Sequence, residues 1–206
     1  LSPRFDLDGV VLVGGAKGSA FWFDPNLKAS NPFGTWGWKI PKGIHLLGYT
    51  RSIAFSPHFD GRGTPGSDQT IFVSTSTSQA STFRTTDGGL TGERLDKMED
   101  GSSTTWFKNL VVAPTYDAST SQGRTDVYGT KGGKIVRLHD NRWRLIAELP
   151  CSIESLALPP NFDRVPMTDG RPLLFVGMAN FPYFGVIEDQ GGNPTATFYP
   201  DGLELS

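Results

Sequence analysis

The chain has little of what usually declares a function. One cysteine, Cys151, stands among 206 residues, so no intrachain disulfide can form and the disulfide framework of small secreted domains is excluded. A core of this length needs no such staple. No stretch reaches the ~20 consecutive apolar residues of a membrane-crossing helix, so direct membrane insertion is not expected, and no charged-apolar-small leader pattern is found. Positive charge is not in excess either: 19 Lys and Arg stand against 21 Asp and Glu, a formal net charge of -2. That balance offers no basic stripe to nucleic acid. Amphipathic helical periodicity is nearly missing.

Catalytic and metal motifs are equally scarce. The histidines His45, His58 and His139 are far apart and none has a His or Cys neighbour at ligand spacing, so no zinc motif can be written. No Gly-x-Ser-x-Gly elbow supports a serine nucleophile. Lys131-Gly132-Gly133-Lys134 reads as a hairpin, because the helix that a phosphate loop opens is not there. Cys151 precedes a strand and is expected to be a small buried hydrophobe. Two oxygen-rich loops, Asp6-Leu7-Asp8-Gly9 and the segment from Asp60 to Asp68, suggest calcium, yet neither completes a known calcium loop. Asx-type turns explain both, so no cofactor is expected.

What the chain does have is 25 Gly, 15 Pro and 12% aromatic residues beside only 19% charged ones, a mixture that builds short strands and tight turns. Ser52-Ile53-Ala54-Phe55, Thr70-Ile71-Phe72-Val73 and Leu173-Leu174-Phe175-Val176 are strand chemistry.

These strands recur. Ser2-Pro3-Arg4-Phe5-Asp6 is matched by Ser56-Pro57-His58-Phe59-Asp60, Ala113-Pro114-Thr115-Tyr116-Asp117 and Pro159-Pro160-Asn161-Phe162-Asp163. The shared pattern is small-Pro-x-aromatic-Asp, and its prolines return roughly every fifty residues, the length of a four-stranded propeller blade with long loops. Each copy continues with an apolar second strand, then a third strand and a hairpin carrying an Asp: Asp24, Asp87, Asp140 and Asp189. The expected fold is all-β, a β-propeller segment of about four blades with four-stranded antiparallel sheets, the repeats covering about 1–50, 51–108, 109–154 and 155–206. Its inner strands should begin at Ser52, Asn109 and Ser155, turning Ile53, Phe55, Leu110, Val112, Leu156 and Leu158 toward neighbouring sheets.

The fullest hairpin, Thr85-Thr86-Asp87-Gly88-Gly89-Leu90-Thr91, resembles the Asp-box of the BNR (sialidase-type) propellers, whose pattern is Ser/Thr-x-Asp-x-Gly-x-Thr-Trp; Gly92 replaces the tryptophan. Three more degenerate hairpins and the Ser-Pro-x-Phe-Asp loop extend the resemblance. It implies a structural part for Thr85, Asp87, Gly88, Gly89 and Thr91, and a ring of about six to ten blades. This segment is therefore expected to belong to a longer chain or to close against another. Catalytic members carry an arginine triad with an Arg-Ile-Pro motif, a tyrosine nucleophile and an Asp acid/base. That motif is absent, and Arg4 and Arg51 lack its flanks.

Aromatic residues at strand ends and loops remain as candidate ligand-facing groups: Trp36, Trp38, Trp106, Phe181 and Tyr183. They can stack on sugars or anchor a protein, although packing between blades competes for them. The expected function is a non-catalytic recognition or scaffold module for a protein or glycan, exported, periplasmic or at the cell surface. A glycoside hydrolase with catalytic residues partly elsewhere and an accessory subunit of a larger complex are the alternatives.

Overall fold

The computed structural model describes residues 1–15, 20–23, 38–39, 49–76, 81–104, 106–117, 127–159, 173–179, 184–188 and 195–199. Among them the chain forms one helical turn and successive antiparallel sheets. The first sheet holds β1 (Val11–Gly14), β2 (Ala20–Phe23) and β3 (Trp38–Lys39). The second holds β4 (Tyr49–Phe55), β5 (Ile71–Ser76), β6 (Ser81–Thr85) and β7 (Glu93–Leu95). The third holds β8 (Asn109–Val112), β9 (Val127–Lys131), β10 (Lys134–His139) and β11 (Arg142–Glu148). The fourth holds β12 (Ile153–Ala157), β13 (Leu173–Met178), β14 (Phe184–Glu188) and β15 (Thr195–Tyr199). Within each sheet the strands pair in chain order. The expected inner strands are β4, β8 and β12, which lie beside one another, and β4 also touches β1.

Apolar runs replace a half-polar alternation in the second strands because both faces of an inner sheet are covered. In β5, Ile71 and Val73 turn toward the first sheet, joining Val10, Leu12 and Phe59, with Ile53 and Phe55 packed on them. Phe72, between them, points the other way, into a cluster with Leu110, Tyr116, Val127 and Trp143 of the third sheet. One sheet later, in β9, the same split recurs: Val127 joins that cluster, while Tyr128 meets Ile135, Leu174 and Val176 on the side of the fourth sheet. Burying each of these large side chains contributes about 1.5–3 kcal/mol.

The second and third sheets are locked by aromatic wedges. Phe107 and Trp143 meet with ring centroids 4.5 Å apart, and Trp143 Nε1 donates to the Leu95 carbonyl of the second sheet at 3.0 Å. Gly129 leaves the space that Phe107 fills: a Cβ there would lie 2.8 Å from the ring's Cγ.

The Asx-type turn expected in the 6–9 segment is present, with the Val10 N–H on Asp8 Oδ1 at 2.9 Å, and it follows a one-turn helix, α1 (Phe5–Asp8), that left-handed Gly9, at φ 63°, closes with an N–H bond of 2.9 Å to the Phe5 carbonyl. One local expectation is corrected. Cys151 is half-buried, not enclosed, with its Sγ 3.1 Å from Met178 Sδ. It sits in the turn before β12, where one side meets solvent.

Candidate functional site

The repeat motif builds one end of the sheets. Ser56 and Ser2 occupy the same place: the backbone N–H of Ser56 donates to the Thr70 carbonyl and that of Ser2 to Val10, each at 3.0 Å. Their hydroxyls bond Asp68 and Asp8, whose carboxylates also accept the Thr70 N–H at 2.8 Å and the Val10 N–H at 2.9 Å. Asp8 further accepts the Gly61 N–H of the next loop at 3.0 Å, so the acidic loops are joined across two sheets. Asp60 is held by Arg62, with Nη2 at 2.6 Å and Nε at 2.9 Å, and by Arg4 at 3.4 Å. The side-chain hydrogen bond from Arg62 is the main cause that lowers its pKa to about 2, burial opposing it. These carboxylates are thus committed to turn and loop bonds. No group of three or more metal-ligating side chains forms among the described residues.

The hairpin after β6 completes this end. Thr85 Oγ1 donates to Asp87 Oδ1 at 2.8 Å and accepts the Gly89 N–H at 2.8 Å; the Thr91 N–H reaches Asp87 Oδ1 at 2.9 Å and its hydroxyl bonds Oδ2. Gly88 and Gly89 take φ of 68° and 93°, where side chains are disfavoured. Burial raises the Asp87 pKa, but the Thr91, Thr85 and Leu90 hydrogen bonds outweigh it and the net shift is downward. Beside the hairpin, a cleft of about 600 Å³ runs between Asp68, Thr86, His58 and Asp117.

The other end of the sheets is different in kind. The pairing of β4 with β5 slips between Thr50 and Ser52, leaving Arg51 as a bulged residue, and β12 slips in the same way at Glu154. In front of β8, the Lys108 N–H bonds the Thr130 carbonyl at 2.7 Å while Asn109 already faces Thr130. A bulge turns its extra side chain out of the alternation. Arg51 on β4, Lys108 just before β8 and Glu154 on β12 therefore take matching places in three neighbouring sheets, and Lys108 and Glu154 form an ion pair.

Trp106 belongs to this rim. Its neighbour Phe107 is buried between the sheets and its N–H donates to Ser74 Oγ at 2.7 Å, so the chain is pinned there and Trp106 is left half-buried beside it. Arg51 Cζ lies 5.3 Å from the Trp106 ring centroid and 5.8 Å from that of Tyr49; Lys131 Nζ, from the β9–β10 hairpin, lies 5.8 Å from Trp106. Arg51 Nε donates to Ser76 Oγ at 2.6 Å, and no carboxylate pairs with Arg51 among the described residues. Tyr49 is 59% exposed.

Of the aromatic candidates, Trp106 is thus placed at a cationic rim. Trp38 enters β3 as the backbone partner of Phe23. Trp36, Phe181 and Tyr183 lie outside the described residues, as does the motif copy over 160–163. Sequence reasoning set Arg51 aside, read Lys131 only as part of a hairpin, and passed over Lys108 and Glu154. The signal that finds three of them is the aligned repeat, in which Arg51-Ser52, Lys108-Asn109 and Glu154-Ser155 put a charge before a small polar residue. Comparison with known proteins returned no matching family model and no matching curated protein.

Proposed function

We propose that the chain is an arc of a β-propeller similar to the Asp-box propellers, serving as a non-catalytic recognition or scaffold module that takes a protein or glycan at the rim of Arg51, Trp106 and Lys131. Consecutive antiparallel sheets, the second and third of them covered on both faces, with β4, β8 and β12 side by side, support the architecture. The self-contained bonding of Asp87 supports the likeness of its hairpin to an Asp-box. The observation that carries the function is Trp106, held outward by a buried neighbour with two cations against its ring. Trp106 is in none of the three core clusters, and a half-buried ring held in this way is pre-ordered for a partner. An exported or cell-surface setting belongs to the same reading and rests on the resemblance.

The face of the first sheet turned away from the second bears on the ring. Val13 and Phe5, 45% and 44% exposed, are the counterparts of Val73 and Phe59, which are fully buried. A propeller places another such sheet there.

Trp106→Ala and Leu90→Ala, at opposite ends of the sheets, test the function in glycan-array binding and co-purification from source cells, with aryl glycosides as substrates. The expected result is capture by wild type and Leu90→Ala, loss with Trp106→Ala, and no turnover. Glycoside turnover by the wild-type chain would replace this reading with the hydrolase alternative.

A further inference from the structure

We infer that the partner at this rim is an acidic protein segment whose carboxylates are read by Arg51 and Lys131; the inference rests on the recognition reading above. Arg51 is suited to that task by three constraints. Its backbone position in the bulge turns it out of the strand pairing. Ser76 Oγ fixes Nε at 2.6 Å, and the guanidinium lies near two aromatic rings, at 5.3 Å from Trp106 and 5.8 Å from Tyr49. Little rotamer freedom is then left to lose on binding. Among the described residues its side chain bonds through Nε, which leaves the two terminal nitrogens, the planar fork that takes a carboxylate in two parallel bonds, without a carboxylate partner there.

Lys131 places a second positive charge on the same indole, 5.8 Å from its centroid. Two cations served by one tryptophan fit two acidic groups on one extended segment better than a single small anion. Sugar stacking fits less well, since it needs an aromatic face clear of the cations that lie over the ring. Nucleic acid is disfavoured by the net charge of -2 and by Glu154 on the same arc of bulges. Trp, Tyr and Arg are also the residue types that dominate binding energy at protein interfaces.

The experiment is fluorescence anisotropy of a labelled, capped hexaglutamate peptide titrated with the whole chain at low salt, beside capped hexaglutamine and a galacturonate oligosaccharide. The expected result is saturable binding of hexaglutamate alone. Arg51→Gln and Lys131→Gln should each weaken it about tenfold with unchanged melting curves, and higher salt should weaken it further. Equal binding of hexaglutamine, or hexaglutamate binding that ignores Arg51→Gln, would overturn the inference. Galacturonate binding through Arg51 without hexaglutamate binding would also overturn it, while leaving the rim a recognition site. Loss of capture by Trp106→Ala tests that broader reading separately.

Discussion

Replacing Asp60 by Asn should remove a pH-dependent part of the stability. The carboxylate accepts from Arg62 through Nε, Nη2 and the backbone N–H, and lies 3.4 Å from Arg4. Its pKa falls from 3.8 to about 2 in the folded chain, first through the Arg62 side-chain bond, against the opposing pull of burial. A carboxyl group lowered in this way stabilises the fold fully above its unfolded pKa, and the contribution is lost as pH falls through the folded value. The unscreened difference amounts to about 2.4 kcal/mol. Asp60 itself is covered, but Arg4 and Arg62 are 43% and 45% exposed, so solvent reaches the pair and about 1–2 kcal/mol should survive. Urea unfolding of both proteins near neutral pH should show that deficit in Asp60→Asn, with roughly half of it gone by about pH 3. A variant as stable as wild type at neutral pH, or a deficit constant down to pH 3, would refute the reasoning.

Asp87→Ala should lower stability by about 1–3 kcal/mol, since Thr91 and Thr85 lose their acceptor; partner capture at the opposite rim should be unchanged, and a normal melting curve with capture abolished would reverse its structural role. Gly129→Ala sets a Cβ against the Phe107 ring, and should cost about 1–3 kcal/mol in chemical denaturation. Residues 1–206 alone should sediment as a species heavier than a monomer, because the first sheet exposes Phe5 and Val13. Val13→Glu should shift it toward monomer, and a wild-type monomer with a sharp unfolding transition would count against ring closure.

The fold was legible where one signal repeated. Alternation alone leaves Ile71-Phe72-Val73 ambiguous between strand and buried helix, but four aligned copies make it a second strand, and the structure adds that both its faces are covered. The motif itself was legible as a position and not as a function. Asp6, Asp60 and Asp117 share a place in the pattern, yet Asp60 is the one gripped by an arginine two residues on, and Asp6 lies exposed on the one-turn helix. The acids that tie the loops, Asp8 and Asp68, stand just before the second strands and were read as turn residues or calcium candidates. Their bonding depends on a serine upstream and, for Asp8, on a backbone N–H 53 residues away.

The rim was hidden for a different reason. A side chain's direction in a strand follows from its register, and one extra residue reverses it. Tyr49, Arg51 and Ile53 share a parity in the sequence, so a regular strand would send all three to one face. The slip between Thr50 and Ser52 breaks that parity, releasing Arg51 toward Trp106 while Ile53 stays packed on the first core cluster. Trp106 and Phe107 divide their work in the same local way: adjacent aromatics look alike in sequence, and the Ser74 bond with the space at Gly129 decides that Phe107 goes in. What turns Trp106 out is thus a hydroxyl on β5 and a missing side chain on β9, neither of which lies near it in the chain.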